Sequence, residues 1–307
     1  MRKTIMAVML CFISIYTITA QEKQKTEPWN FKCYGRVADG VPNAEKLGLK
    51  VGIQYYTFHK YTFFEALEMT RALGLHYIEG CGGMKLSDEI KGGFGPGMSQ
   101  EALDAMNEKL KENEIQIVSS YQWMKGDGNG FEDLCRFAQK TGIMIITDPK
   151  RHAEGVGSVD WYEDILKKYP GVKMAFTNHP KPIAYWNPDF TVEDTKGRSE
   201  HIGASVDIGH YMRGGFAPLP IVKRYCEIGK MYHFHFRDVS AIGKEGIDVA
   251  VGEGKGELKK LIKYLVKNDI HPLIMLEYEK DFDNPMPELI KSVNYINEVC
   301  GEIINEK

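Results

Sequence analysis

Ala204-Ser205-Val206-Asp207-Ile208-Gly209-His210 reads as a short apolar strand that ends on a carboxylate and turns, through a glycine, to an imidazole. Similar endings recur in Thr177-Asn178-His179-Pro180, in His233-Phe234-His235-Phe236-Arg237-Asp238 and in Glu277-Tyr278-Glu279. Oxygen and imidazole groups spread at strand-like intervals suit a divalent ion held at one mouth of a barrel. The chain therefore reads as an enzyme.

Outward from these strings, from Leu47 onward, short β-rich runs alternate with longer amphipathic ones, eight of each. The strands are expected at Val51 to Tyr56, His76 to Glu79, Ile115 to Tyr121, Met144 to Thr147, Lys173 to Thr177, Gly203 to Asp207, Met231 to Phe236 and Leu273 to Tyr278. Helices are expected at Phe63 to Leu73, Gln100 to Asn113, Phe131 to Thr141, Val159 to Tyr169, Val192 to His201, Pro220 to Gly229, Glu257 to Asn268 and Pro287 to Val299. The fifth of these has the weakest pattern. Gly74, Gly142, Gly171 and Gly229 stand where left-handed helix caps belong. Repeated strand-helix units with tight returns predict a covered parallel sheet, and eight of them favour a closed (β/α)8 TIM barrel, one α/β domain over 47–302. An open doubly wound sheet predicts a Gly-rich phosphate turn after the first strand, and Ile53-Gln54-Tyr55-Tyr56-Thr57-Phe58 is not one.

The 307 residues carry a formal charge of -3 with no Lys/Arg-rich block, which argues against nucleic acid or an anionic membrane as a partner. Basic Met1-Arg2-Lys3 leads into an apolar run from Ile5 to Ile18 and then Thr19-Ala20, the pattern of a signal peptide over 1–20 cleaved after Ala20. That run is shorter than the roughly 20 residues a spanning helix needs. Export to the periplasm is the expectation, with 21–46 as a polar N-terminal extension and no membrane contact after cleavage. Cys33, Cys81, Cys135, Cys226 and Cys300 then remain, an odd set without CxxC spacing. Cys135 and Cys226 read as packing residues.

Reacting groups of a TIM barrel gather at the C-terminal ends of its strands, so polar residues there have a functional reading. Asp207 and His210 sit close enough to serve one metal and its substrate. His233 and His235 share a strand face, so one can ligate while the other supports it. Glu277 ends the apolar run Leu273-Ile274-Met275-Leu276 and needs a partner for its charge, a cation being the simplest.

The strings D-I-G-H, H-F-H-F-R-D, the turn Gly252-Glu253-Gly254 and L-E-Y-E, in this order, resemble the sugar phosphate isomerase/epimerase family, whose fold is the xylose isomerase-like TIM barrel. The resemblance extends over most of Leu47 to Val299 and includes Gly52-Ile53-Gln54-Tyr55-Tyr56-Thr57-Phe58. It implies that Asp207, His235 and Glu277 bind one divalent metal (manganese, zinc, cobalt or magnesium), with His210 and Arg237 facing substrate. It also implies a fourth ligand glutamate at the end of the fifth strand, where this chain has Thr177. His179, in the same side-chain phase, is the candidate replacement. Glu79 is the remaining candidate acid or base beside Glu277 and His210.

The expected activity is that of a metal-dependent isomerase or epimerase of a small carbohydrate, acting through an enediolate. Export disfavours phosphorylated substrates. Tyr55, Trp123 and Trp186 are candidates to stack on a sugar ring. Elimination from a 3-keto-glycoside, or sugar binding without catalysis, are the alternatives, and the resemblance allows a homo-oligomer.

Overall fold

The structure, a computed structural model, describes residues 36–122, 130–147 and 158–306. Its first half contains α1 (Pro42–Lys46), β1 (Lys50–Gln54), α2 (Phe63–Ala72), β2 (Tyr77–Cys81), α3 (Gln100–Glu112), β3 (Gln116–Tyr121), α4 (Phe131–Thr141), β4 (Ile145–Thr147), α5 (Val159–Leu166) and β5 (Lys173–Thr177). The second half contains α6 (Pro188–Thr195), β6 (Ile202–Asp207), α7 (Ile208–Arg213), α8 (Pro218–Glu227), β7 (Met231–Phe236), β8 (Asp238–Val239), β9 (Asp248–Val249), α9 (Leu258–Lys267), β10 (Leu273–Leu276) and α10 (Met286–Asn305).

β1 to β7 and β10 close into a parallel barrel in which β10 returns to β1. The architecture is a (β/α)8 TIM barrel. All eight expected strands are present, with differences at their ends. Tyr55 and Tyr56 leave β1 for a 3₁₀ turn, Tyr55–Phe58, whose entry is fixed when the Gln54 side chain accepts the Tyr56 N–H. Leu273 to Leu276 is strand, and the chain turns away at Glu277. The sixth helix begins at Pro188, with Asn187 capping it, rather than at Val192. Gly74, Gly142 and Gly229 do take positive φ, at 71°, 78° and 70°, whereas Gly171 does not.

Residues 36–46, expected in the extension, include α1, which packs on the last helix. Asn43 bonds Asn297 twice, at 2.9 and 3.1 Å, and Ala44 is fully buried. Two further elements escaped the sequence pattern. They are the short helix α7, capped by Asp207 itself, and the antiparallel pair β8–β9, which stands off the barrel after β7. Residues 1–35 and Cys33 lie outside the described residues. Among the described residues no helix is long and apolar enough to cross a membrane, and Cys81, Cys135, Cys226 and Cys300 are free thiols.

Inside the barrel the chemistry is layered. Val118, Ile145, Ala175, Leu273 and Met275 form a small apolar cluster of their own. One step further along the strands, Ser119, Ser205, His233, Glu79 and Thr147 are buried and polar, joined by hydrogen bonds that cross from β3 to β7 and from β4 to β2. The groups of the strand ends therefore rest on a satisfied polar layer rather than on hydrocarbon.

Close packing of β1 on β2 leaves no room beside Gly52, where a Cβ would lie 2.2 Å from the Tyr77 carbonyl oxygen. Gly52→Ala is expected to lower the unfolding free energy by about 1–3 kcal/mol. Urea denaturation checks this as a lower midpoint at unchanged slope.

Candidate active site

Register brings the strand ends together. Asp207 pairs with His235 across β6 and β7, and His235 pairs with Met275, two residues before Glu277. The Asn178 side chain fixes Asp207 further, accepting its N–H at 2.8 Å and donating to its carbonyl at 2.9 Å, which extends the β5–β6 pairing past Thr177. Asp207 Oδ1 then accepts the His210 N–H at 2.7 Å and starts α7. One residue thus ends a strand, caps a helix and presents its second oxygen to the mouth.

Asp207, His235 and Glu277 each offer one ligand atom, all within 4.8 Å of one another and all buried. His235 Nδ1 lies 3.5 Å from Glu277 Oε2 and 3.9 Å from Asp207 Oδ2. Its other nitrogen, Nε2, lies 2.7 Å from Glu79 Oε2. Burial opposes the charge of Glu79, but His233, His235 and the Thr147 hydroxyl hold its carboxyl below the usual range. An ionised carboxylate only accepts, so Nε2 is the donor and Nδ1 is turned toward the two ligand carboxylates.

A second cluster, Glu79, His233 and His235, meets the same distance criterion. Its donors are already engaged. His233 holds the Ser119 hydroxyl at 3.1 Å and the Ser205 hydroxyl at 2.9 Å, and Thr147 donates to Glu79 at 2.6 Å. Burial pushes His233 down to about 4, so it is neutral.

The upper cluster is differently charged. Burial works against the charge of His235, yet Glu79, Glu277 and Asp207 push it up to about 10. Burial drives Glu277 up to about 8, with Glu279 and Asp207 adding to it against His235 and Arg237. Asp207, despite its burial, is held well below the usual carboxylate range by His210, Arg237 and His235. Carboxylates here outnumber the fixed cations, which favours the protonated forms of His235 and Glu277. One imidazole nitrogen and two carboxylate oxygens fit a divalent ion such as zinc or manganese, which would take the place of those protons.

A cavity of about 120 Å³ opens above these atoms, lined by Tyr56, Tyr121, His179, Asp207, His210, His235, Glu277 and Glu279. His179 and His210 share its wall with ring centroids 5.6 Å apart, and His179 lies outside the three-residue ligand group. Burial, with Arg237, His179 and Arg213 adding to it, pushes His210 down to about 3, so its ring is neutral.

Several residues lie elsewhere than the sequence suggested. Glu79 is fully buried beneath the cavity as the partner of His235, so it is not an acid or base at the mouth. Arg237 is 1% exposed and spans Asp207, Glu277, Asp248 and Glu279 rather than facing substrate. Tyr55 turns into the core, its hydroxyl 3.0 Å from Thr70 and its ring edge-on to Phe63, because the 3₁₀ turn sends Tyr56 to the cavity instead. Trp186 does not line the cavity. It packs under the Lys181 ammonium and edge-on to Phe190. Trp123 lies outside the described residues. Asp248 and Tyr121 carried no sequence signal, Asp248 because it comes from a hairpin off the barrel.

The glycine-rich turn after β7 is closed on itself. Asp238 accepts N–H groups from Val239, Gly252, Gly254 and Gly256, while Glu253 donates to Ala250 and Lys255 to Val239. Every amide from 252 to 256 therefore has an acceptor inside the protein.

No family model matches the sequence, and no curated protein matches it. Solved structures do. An uncharacterised protein from Parabacteroides distasonis is 26% identical over 81% of this chain and 98% of its own, with a TM-score of 0.64. A xylose isomerase-like TIM barrel protein from Mycobacterium smegmatis, in complex with magnesium, is 13% identical over 79% of this chain and 89% of its own, with a TM-score of 0.58. The chain has the xylose isomerase-like TIM-barrel fold. A third structure of this fold, the 3-keto-D-glucoside 4-epimerase of E. coli, is 11% identical over 81% of this chain and 99% of its own, with a TM-score of 0.60.

In this xylose isomerase-like barrel the Glu79–His235 bond orients a candidate ligand from beneath. Glu79→Gln is expected to weaken zinc binding about 10–100-fold, since an amide no longer fixes the imidazole tautomer. Competition with a chromophoric chelator measures this, and unchanged affinity would remove Glu79 from the site.

Proposed function

We propose that this protein is a metal-dependent isomerase or epimerase acting on a non-phosphorylated sugar or keto-sugar. One observation carries the reading: Asp207, His235 and Glu277, from three different strand ends, offer ligand atoms within 4.8 Å of one another at the mouth of a barrel. The magnesium complex and the 3-keto-D-glucoside 4-epimerase among its structural relatives support it.

Asp207, His235 and Glu277 would hold a divalent ion, which would supply positive charge to stabilise the negative charge that develops when the C–H beside a sugar carbonyl is broken. Glu277, whose charge burial disfavours, takes that proton as general base. With Thr177 at the end of β5, no second carboxylate stands there to return it. His210 and His179, on the wall of the same cavity, relay a proton from water to the other face or to the adjacent carbon, each ring gaining a proton on one nitrogen as it releases one from the other. Delivery to the first gives an epimer and to the second an aldose/ketose isomer. Tyr56 and Tyr121 offer ring faces and hydroxyls to the sugar.

Two features support a substrate without phosphate. TIM barrels often bind phosphate at the loops after the last strands, and here the amides of Gly252 to Gly256 are spent on Asp238 and on the loop itself. The basic and then apolar first twenty residues support export to the periplasm, where free sugars and glycosides are the available substrates.

The test is deuterium exchange. Manganese-loaded protein is incubated in heavy water with ketoses and with 3-keto-glycosides, and loss of the C–H signal beside the carbonyl is followed by NMR. Exchange is expected, and Glu277→Gln is expected to slow it by about 10²–10⁴-fold. Release of an aglycone would assign elimination instead. A fully metal-loaded protein that binds sugar but exchanges nothing would make it a binding protein.

A further inference from the structure

A guanidinium buried to 1% exposure needs partners for its charge, and the two terminal nitrogens of Arg237 face different pairs of carboxylates. Nη1 lies 3.2 Å from Asp207 Oδ2 and 3.4 Å from Glu277 Oε2, both in the ligand cluster. Nη2 lies 2.5 Å from Asp248 Oδ2 and 2.6 Å from Glu279 Oε2, both outside it. Nε is buried without an acceptor, so the terminal nitrogens alone hold the group. Asp248 comes from β9, off the barrel. Its Oδ1 takes Arg213 Nη1 at 2.7 Å, and its Oδ2 also accepts the Glu279 N–H at 3.0 Å. Arg213 in turn reaches His210 Nδ1 at 3.4 Å. A single hairpin carboxylate therefore ties together α7, β7 and the segment after β10.

We infer that Arg237 is the resident counter-cation of the candidate ligand carboxylates, and that Asp248 is a positioning residue that holds it by Nη2 so that Nη1 can release those carboxylates to a divalent ion. The inference rests on the metal-binding reading above. Without an ion, Nη1 keeps Asp207 and Glu277 from facing each other uncompensated. With one, a cation arrives at the same two oxygens, and the guanidinium stays neutralised only because Asp248 and Glu279 hold its far side. Once Asp248 is gone, Glu279 is the carboxylate left on that side among the described residues, and its side chain is 27% exposed, in a setting where water weakens the pair. The positive charge then leans on Asp207 and Glu277 and competes with the ion.

The experiment titrates manganese(II) into metal-stripped protein, follows free ion by its paramagnetic resonance signal, and records thermal unfolding in chelator. Asp248→Asn is expected to weaken manganese binding about 10-fold. Arg237→Gln is expected to tighten it and to lower the unfolding temperature of the ion-free protein. Asp248→Asn combined with Arg237→Gln should bind like Arg237→Gln alone, a pattern that loss of packing at Asp248 would not produce. Glu279→Gln, at the more exposed partner, should shift affinity in the same direction as Asp248→Asn but less, and serves if Asp248→Asn does not fold. Wild-type affinity in both Asp248→Asn and Glu279→Gln, or a double variant as weak as Asp248→Asn, would overturn the inference. A wild-type protein that binds no manganese would sink the metal reading and this inference with it, so the wild-type titration tells the two failures apart.

Discussion

Crowded negative charge at the end of a barrel is the constraint around which the rest of this molecule is arranged. Asp207, Glu277, Asp248 and Glu279 all reach one guanidinium, and unit charges about 4 Å apart interact by about 4 kcal/mol at an effective dielectric of about 20. Energies of that size exceed a single neutral hydrogen bond, so the geometry around Arg237 weighs more than any one neutral contact in the mouth. Gly209 illustrates this. A Cβ there would sit 2.9 Å from Arg237 Nε and 3.0 Å from its Cδ, so the glycine of Asp207-Ile208-Gly209-His210 makes space for the arginine two strings away. The spacing of one motif is thus a packing requirement of another.

Much of the fold was legible because its signals are local. Strand and helix periods, the capping box of Thr62 and Glu65, and the left-handed glycines before β2 and after α4 are each decided within a few residues. What escaped was decided across the barrel. Tyr55 and Tyr56 are chemically alike in sequence, and only the 3₁₀ turn after β1 sends one to Thr70 and the other to the cavity. Asp248 lies in a segment with no periodicity and reaches the mouth through the β8–β9 pairing, for which two-residue strands leave no readable pattern. The resemblance implies a substrate-facing role for Arg237, yet its length lets it fold back among carboxylates that are remote in the chain.

The two histidines of β7 show how neighbours assign opposite roles to one side chain. Both point into the barrel, with ring centroids 5.3 Å apart. His233 meets serine hydroxyls on both nitrogens, and burial leaves it neutral. His235, two residues further, meets carboxylates on both nitrogens and is drawn toward the charged form. The strand face told that the pair belongs together. Their different charge is decided by β3 and β6 contributing serines at one level, while β2, β6 and the residue after β10 contribute carboxylates at the next.

Thr177 fits the same account. The resemblance implies a glutamate at that strand end, and a carboxylate there would join four others already sharing Arg237, in a mouth where Glu277 is pushed up to about 8 by its neighbours and burial. Threonine adds no charge and is fully accommodated in the strand, paired in register with Ser205. Asp248 from the hairpin and Glu279 after Tyr278 place their charge on the Nη2 side of the guanidinium, away from Asp207 and Glu277. Asp207 and Glu277 are the carboxylates on the Nη1 side, and the cavity wall beside them carries His179 and the neutral ring of His210.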